Sequence, residues 1–222
     1  MFDSKLVQSF DGIDQNLLIL LHGLGDNAHN FIKFGLKMRI PQTALLAIQG
    51  PFKIPFFQDG RAWFPSFDDQ GYNLNDDDPK LVNGLIQTRN HLLSYIKSLG
   101  EWPLDKIFLL GFGHGGSVCL DVVHNGHLEV GGVISLGGFP IMKQPNLKCK
   151  IPIFISYGSN QDNAQQADNI DQSFTTLYKV EGRDLEMPQD ATHIKKVFEF
   201  LGKLLSLRNL ALEKQSDIIE VT

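Results

Sequence analysis

Five short apolar runs, set apart by longer amphipathic stretches, leave this chain few architectures to adopt. They fall at 17–21, 44–49, 107–110, 133–136 and 153–157. Each is apolar almost throughout, as in strands covered on both faces of a parallel sheet. A sixth strand is expected at 176–180, and 5–10 reads as an N-terminal edge strand. Helical spacing marks 30–38, 79–99, 116–123, 164–174 and 188–207. Strands alternating with helices predict a doubly wound, mostly parallel sheet with helices on both faces. With 222 residues, one α/β domain is expected over 1–208, followed by a C-terminal tail over 209–222 where the apolar stripe fades.

Local chemistry supports these boundaries. Asp78-Pro79 offers an N-cap and then a proline at the first helical position, where its missing N–H costs nothing. The segment 50–78 has little periodicity and reads as a long loop, placed where it would cover a site. A net charge of −5, with no dense Lys/Arg cluster, excludes a nucleic-acid partner. Two cysteines, Cys119 and Cys149, are too few for a disulfide framework and suit a reducing compartment. No apolar run approaches the ~18 residues of a membrane span. The N-terminus also lacks a signal pattern, so the expected location is cytoplasmic.

Three segments carry chemistry. Residues 17–27 read LLILLHGLGDN, a buried strand running into His22-Gly23-Leu24-Gly25-Asp26. Residues 108–118 read FLLGFGHGGSV, with the glycine-rich turn Gly111-Phe112-Gly113-His114-Gly115 between strand and helix. Gln49-Gly50-Pro51 follows another strand, with Gly60-Arg61-Ala62-Trp63-Phe64 beyond it. Together they resemble the acyl-protein thioesterase and carboxylesterase branch of the α/β hydrolases, over most of the chain from Leu17 to about Leu205. The resemblance implies an α/β-hydrolase fold, no cofactor, and a G-x-S-x-G elbow whose central serine is the nucleophile.

Here the centre of that elbow is Gly113, so the attacking atom is missing. The family pattern puts the acid at Gln161, with Asp162 one step further on, and the histidine at Met187. His193 is the nearest histidine; if a helix opens at Pro188, it shares a face with Val197, Phe200 and Leu204, as a packed structural residue would. The oxyanion hole implied by the resemblance uses the backbone N–H groups of Leu24 and His114. His114 could also act as a base, but its side chain is expected to run along the new helix. Ser117 and Cys119 read as local capping or packing residues.

Phe56, Phe57, Trp63 and Phe64 lie where the resembling enzymes form an acyl channel. They could line a retained pocket, anchor the long loop, or do both. The seven histidines show no helical ligand spacing with acidic partners, so no metal site is expected. The expected function is that of a thioesterase-like pseudoenzyme that binds an acyl or ester-like ligand or a protein partner. The alternative is an active (thio)esterase with rearranged catalytic residues.

Overall fold

A computed structural model describes residues 2–55, 57–142, 150–159, 161–180 and 191–216. In chain order the elements are β1 (Ser4–Val7), β2 (Asn16–Leu21), α1 (Ala28–Met38), β3 (Thr43–Ile48), β4 (Phe52–Ile54) and β5 (Phe57–Ala62). There follow α2 (Pro79–Ser98), β6 (Ile107–Phe112), α3 (His114–His124), β7 (Gly132–Leu136), β8 (Ile153–Gly158), α4 (Gln161–Asp168), β9 (Thr175–Val180) and α5 (Ala191–Ser216). The chain divides into two compact units, 1–187 and 188–222.

The first unit holds a seven-stranded sheet in the order β1-β3-β2-β6-β7-β8-β9. Only β1 runs antiparallel to its neighbour, pairing Leu6 with Leu46; β2 pairs in parallel with both β3 and β6. β2 and β3 are buried at every position, as their unbroken apolar runs require. Because side chains alternate along a strand, the two faces of β2 go to different helices. Leu17, Ile19 and Leu21 join one core with Leu81, Leu85 and Leu92 of α2 and Val118 and Val122 of α3. Leu20 faces the other way, against Gly35 of α1, where a Cβ would press on the leucine methyls.

Helix starts follow their caps. Asn27 accepts the Asn30 N–H at 2.9 Å, so α1 begins before the stripe that marks it in sequence. Asp78 accepts the Lys80 N–H at 2.7 Å and Pro79 opens α2, as the dipeptide predicts. Two expectations are corrected. The segment 50–78 is not wholly irregular: β4 and β5 pair as an antiparallel hairpin with a register shift between Lys53 and Ile54. A three-residue strand paired across a bulge leaves no alternation to read. The helix expected at 164–174 lies earlier, and after it Asp171 accepts the Ser173 N–H at 2.9 Å in a local turn that competes with helix.

The second unit is described through α5 alone. His193, Val197, Leu201 and Leu204 form its buried stripe. Its last turns reach Ser216, so helix continues into the segment expected as a tail from 209. No helix among the described residues is long and apolar enough to cross a membrane.

Candidate functional site

The turn between β6 and α3 is built from glycine because backbone crowds it on three sides. A Cβ on Gly111 would meet the carbonyl of Gly115, and one on Gly115 would meet the Leu21 carbonyl oxygen of β2. A side chain on Gly138 would strike the Gly113 oxygen. At the centre, Gly113 has φ 50° and ψ −118°, a conformation any other residue adopts only under strain. It is pinned from both sides: its N–H donates to Leu136 O of β7 at 2.9 Å, and its own carbonyl accepts the Ser117 N–H at 3.0 Å. No side chain caps the N-terminus of α3.

The second loop of the site leaves β2 as His22-Gly23-Leu24-Gly25-Asp26. His22 is completely buried. Its Nδ1 lies 2.7 Å from the Gly23 carbonyl oxygen, and its Nε2 accepts the Gly50 N–H at 2.9 Å. Those partners require a neutral ring protonated at Nδ1. Burial lowers its pKa, against the opposing effects of the Gly23 bond and Asp26. The His22 carbonyl accepts the indole N–H of Trp63 at 2.7 Å. Further on, β5 extends its pairing into the loop, with Gly25 N–H to Arg61 O at 3.1 Å and Arg61 N–H to Asp26 O at 3.0 Å. The loop is thereby fixed to the ends of β3 and β5. Among the described residues, the amides of Leu24 and His114 donate to no protein acceptor.

The His114 side chain does not simply follow its helix. It stacks on Phe64, with ring centroids 4.7 Å apart and planes 18° from parallel, and its Nδ1 is 3.5 Å from Ser66 Oγ. Burial pushes its pKa down to about 4, so the ring is neutral at pH 7. Ser66 Oγ also donates to the Phe64 carbonyl at 3.1 Å.

The aromatic residues divide. Trp63 and Phe64 are fully buried, and the Trp63 carbonyl takes the hydroxyl of Thr88 on α2, so both act as anchors. Phe57 is 56% exposed on the hairpin, and Leu24 is 37% exposed on its loop. Phe56 and Met187 lie outside the described residues. Gln161 and Asp162 are the first two residues of α4, which begins shortly after the end of β8. His193 lies on the buried stripe of α5. Ser117 and Cys119 are buried within α3, and burial drives the Cys119 thiol pKa up. The linkages of His22 are the feature that sequence reading missed. All but one reach residues far along the chain, and only the motif itself signalled them.

Residues 3–205 match the phospholipase/carboxylesterase family. An uncharacterized hydrolase of Mycosarcoma maydis is 33% identical over 69% of this chain and 60% of its own length. One of Schizosaccharomyces pombe is 28% identical over 68% of this chain and 65% of its own. The chain thus spans less than two thirds of either curated relative. Among solved structures, esterase PE8 superposes with TM-score 0.75 at 19% identity, covering 91% of this chain and 99% of that one. Acyl-protein thioesterase 2 of Zea mays gives 0.67 at 16% identity, over 91% and 99%. Those likenesses establish the α/β-hydrolase fold. The sequence match over nearly the whole chain places this protein in the phospholipase/carboxylesterase family.

Proposed function

We propose that this chain is a non-catalytic member of its family, one that lacks the Ser-His-Asp triad and acts by binding an acyl or ester-like ligand or a protein partner. One observation carries the reading: the backbone turn of the elbow is kept, at φ 50° and ψ −118°, while its centre, Gly113, has no side chain to attack a carbonyl. The acid and histidine positions, at Gln161 or Asp162 and at Met187, depart from the family pattern as well.

In this reading the Leu24 and His114 amides form the oxyanion pair. Both N–H groups are uncommitted among the described residues, and such donors need only backbone geometry to bind a carbonyl or carboxylate oxygen. Binding of this kind does not replace a nucleophile. Loss of the serine or histidine from such a triad typically costs on the order of 10⁶ in turnover. Oxyanion donors and substrate binding alone leave about 10³–10⁴ over water.

The test is hydrolysis of a short thioester and a p-nitrophenyl ester by the purified chain. The expected result is no more than that residual rate. Turnover typical of a working esterase, about 1–10³ per second, would refute the proposal.

A second reading, hydrolysis by rearranged groups, draws on His114, whose ring lies directly after the elbow with Ser66 Oγ 3.5 Å away. It requires turnover that His114→Gln abolishes.

A further inference from the structure

The hydrogen bonds of His22 can be made by only one protonation state. Gly50 donates its N–H to Nε2 at 2.9 Å, so Nε2 must carry a lone pair. Nδ1, 2.7 Å from the Gly23 carbonyl oxygen, must then hold the single ring proton. The same carbonyl accepts the Asp26 N–H at 3.2 Å, which closes the loop around Leu24. The ring therefore joins the end of β2 to Gly50, two residues beyond β3, and Leu24 follows directly on Gly23 within the turn that the Asp26 N–H closes.

We infer that His22 is an acid-sensitive latch on the loop that presents the Leu24 amide. A second ring proton would set Nε2–H against Gly50 N–H and leave two donors facing each other in a site closed to water. A buried, unpaired donor and a buried charge are both costly, so opening of this segment relieves both. Space for an alternative arrangement is small, since a Cβ on Gly50 would already meet the Ala62 carbonyl at 2.7 Å. Trp63 covers the ring, at 5.2 Å between centroids.

The charged groups that act on the ring are Asp26 of its own loop and Arg61 of β5, and they oppose each other. Burial dominates and holds the pKa below the ordinary 6.5. The sign follows. The latch is at full strength above about pH 6.5, weakens as pH falls from there through the lower folded-state pKa, and changes no further below it.

The inference requires neither a ligand nor turnover, so it stands or falls separately from the proposed function. The experiment uses nuclear magnetic resonance on the full chain, reading the His22 ring nitrogens and amide exchange protection from pH 7.5 to pH 5. At pH 7.5 the ring should be protonated at Nδ1 alone. Once intrinsic exchange rates are corrected for, Gly50 protection should fall by up to tenfold per pH unit below about 6.5. Leu110 in β6 should stay protected meanwhile. His22→Gln, which can still accept from Gly50 but cannot titrate, should remove the acid step.

A ring protonated at Nε2, Gly50 protection unchanged with pH, or simultaneous loss at Gly50 and Leu110 would each overturn the latch. So would an acid step that persists in a folded His22→Gln protein. If that variant does not fold, the tautomer and exchange profile of the native chain decide the matter.

Discussion

In the proposed reading, two demands that meet on one residue in a serine hydrolase come apart at Gly113. The turn needs a positive φ, and glycine supplies it without the ~1–3 kcal/mol that a side chain would cost there. Catalysis needs an oxygen at the same point, and glycine has none. Gly113→Ser should therefore lower stability by about 1 kcal/mol or more, measured by urea denaturation. It should also fail to restore esterase activity, because in the proposed reading no histidine stands ready to take the proton. Strong turnover from this single change would show that the acid and histidine positions are misassigned. A different residue-scale contact is the Trp63 indole N–H, which donates to the buried His22 carbonyl. Trp63→Phe leaves that carbonyl unpaired and should cost about 1–3 kcal/mol in the same assay.

Between elements, stability depends on close approach and on one buried ion pair. Gly115 lets α3 come against β2, and any Cβ there meets the Leu21 carbonyl oxygen. Gly115→Ala should destabilise by ~1–3 kcal/mol or more, seen as lost soluble yield or a lowered denaturation midpoint. Across α2 and α3, Arg89 Nη1 donates to both oxygens of Asp121, at 3.0 and 3.2 Å, and Asp121 is only 2% exposed. Burial raises the Asp121 pKa despite this partner and the Asn125 bond. Arg89→Met strands the carboxylate and should cost about 3–5 kcal/mol at pH 7. The deficit should shrink on acidification, because the carboxyl loses its charge as pH falls through its raised pKa. Denaturation series at pH 7 and pH 5 would check both signs.

For the whole molecule, the parallel sheet was legible because strands buried on both faces, such as 17–21 and 44–48, are apolar without interruption. The β4–β5 hairpin was not, since β4 has only three residues, the pairing is bulged, and the first three residues of β5 are exposed. The elbow could be read from the spacing of Gly111, Gly113 and Gly115, each required by local backbone contact or φ. The burial of Trp63, the contacts of His22 with Gly50 and Trp63, and that of His114 with Ser66 could not, because those partners lie dozens of positions apart along the chain.

The proposed loss of chemistry is tested most directly by intact-mass analysis of the purified chain after incubation with excess fluorophosphonate. The expected spectrum shows the unmodified mass alone, since Gly113 offers no atom on which an acyl or phosphonyl group could be carried. A rapid, stoichiometric adduct on any side chain beside the elbow would contradict the central claim.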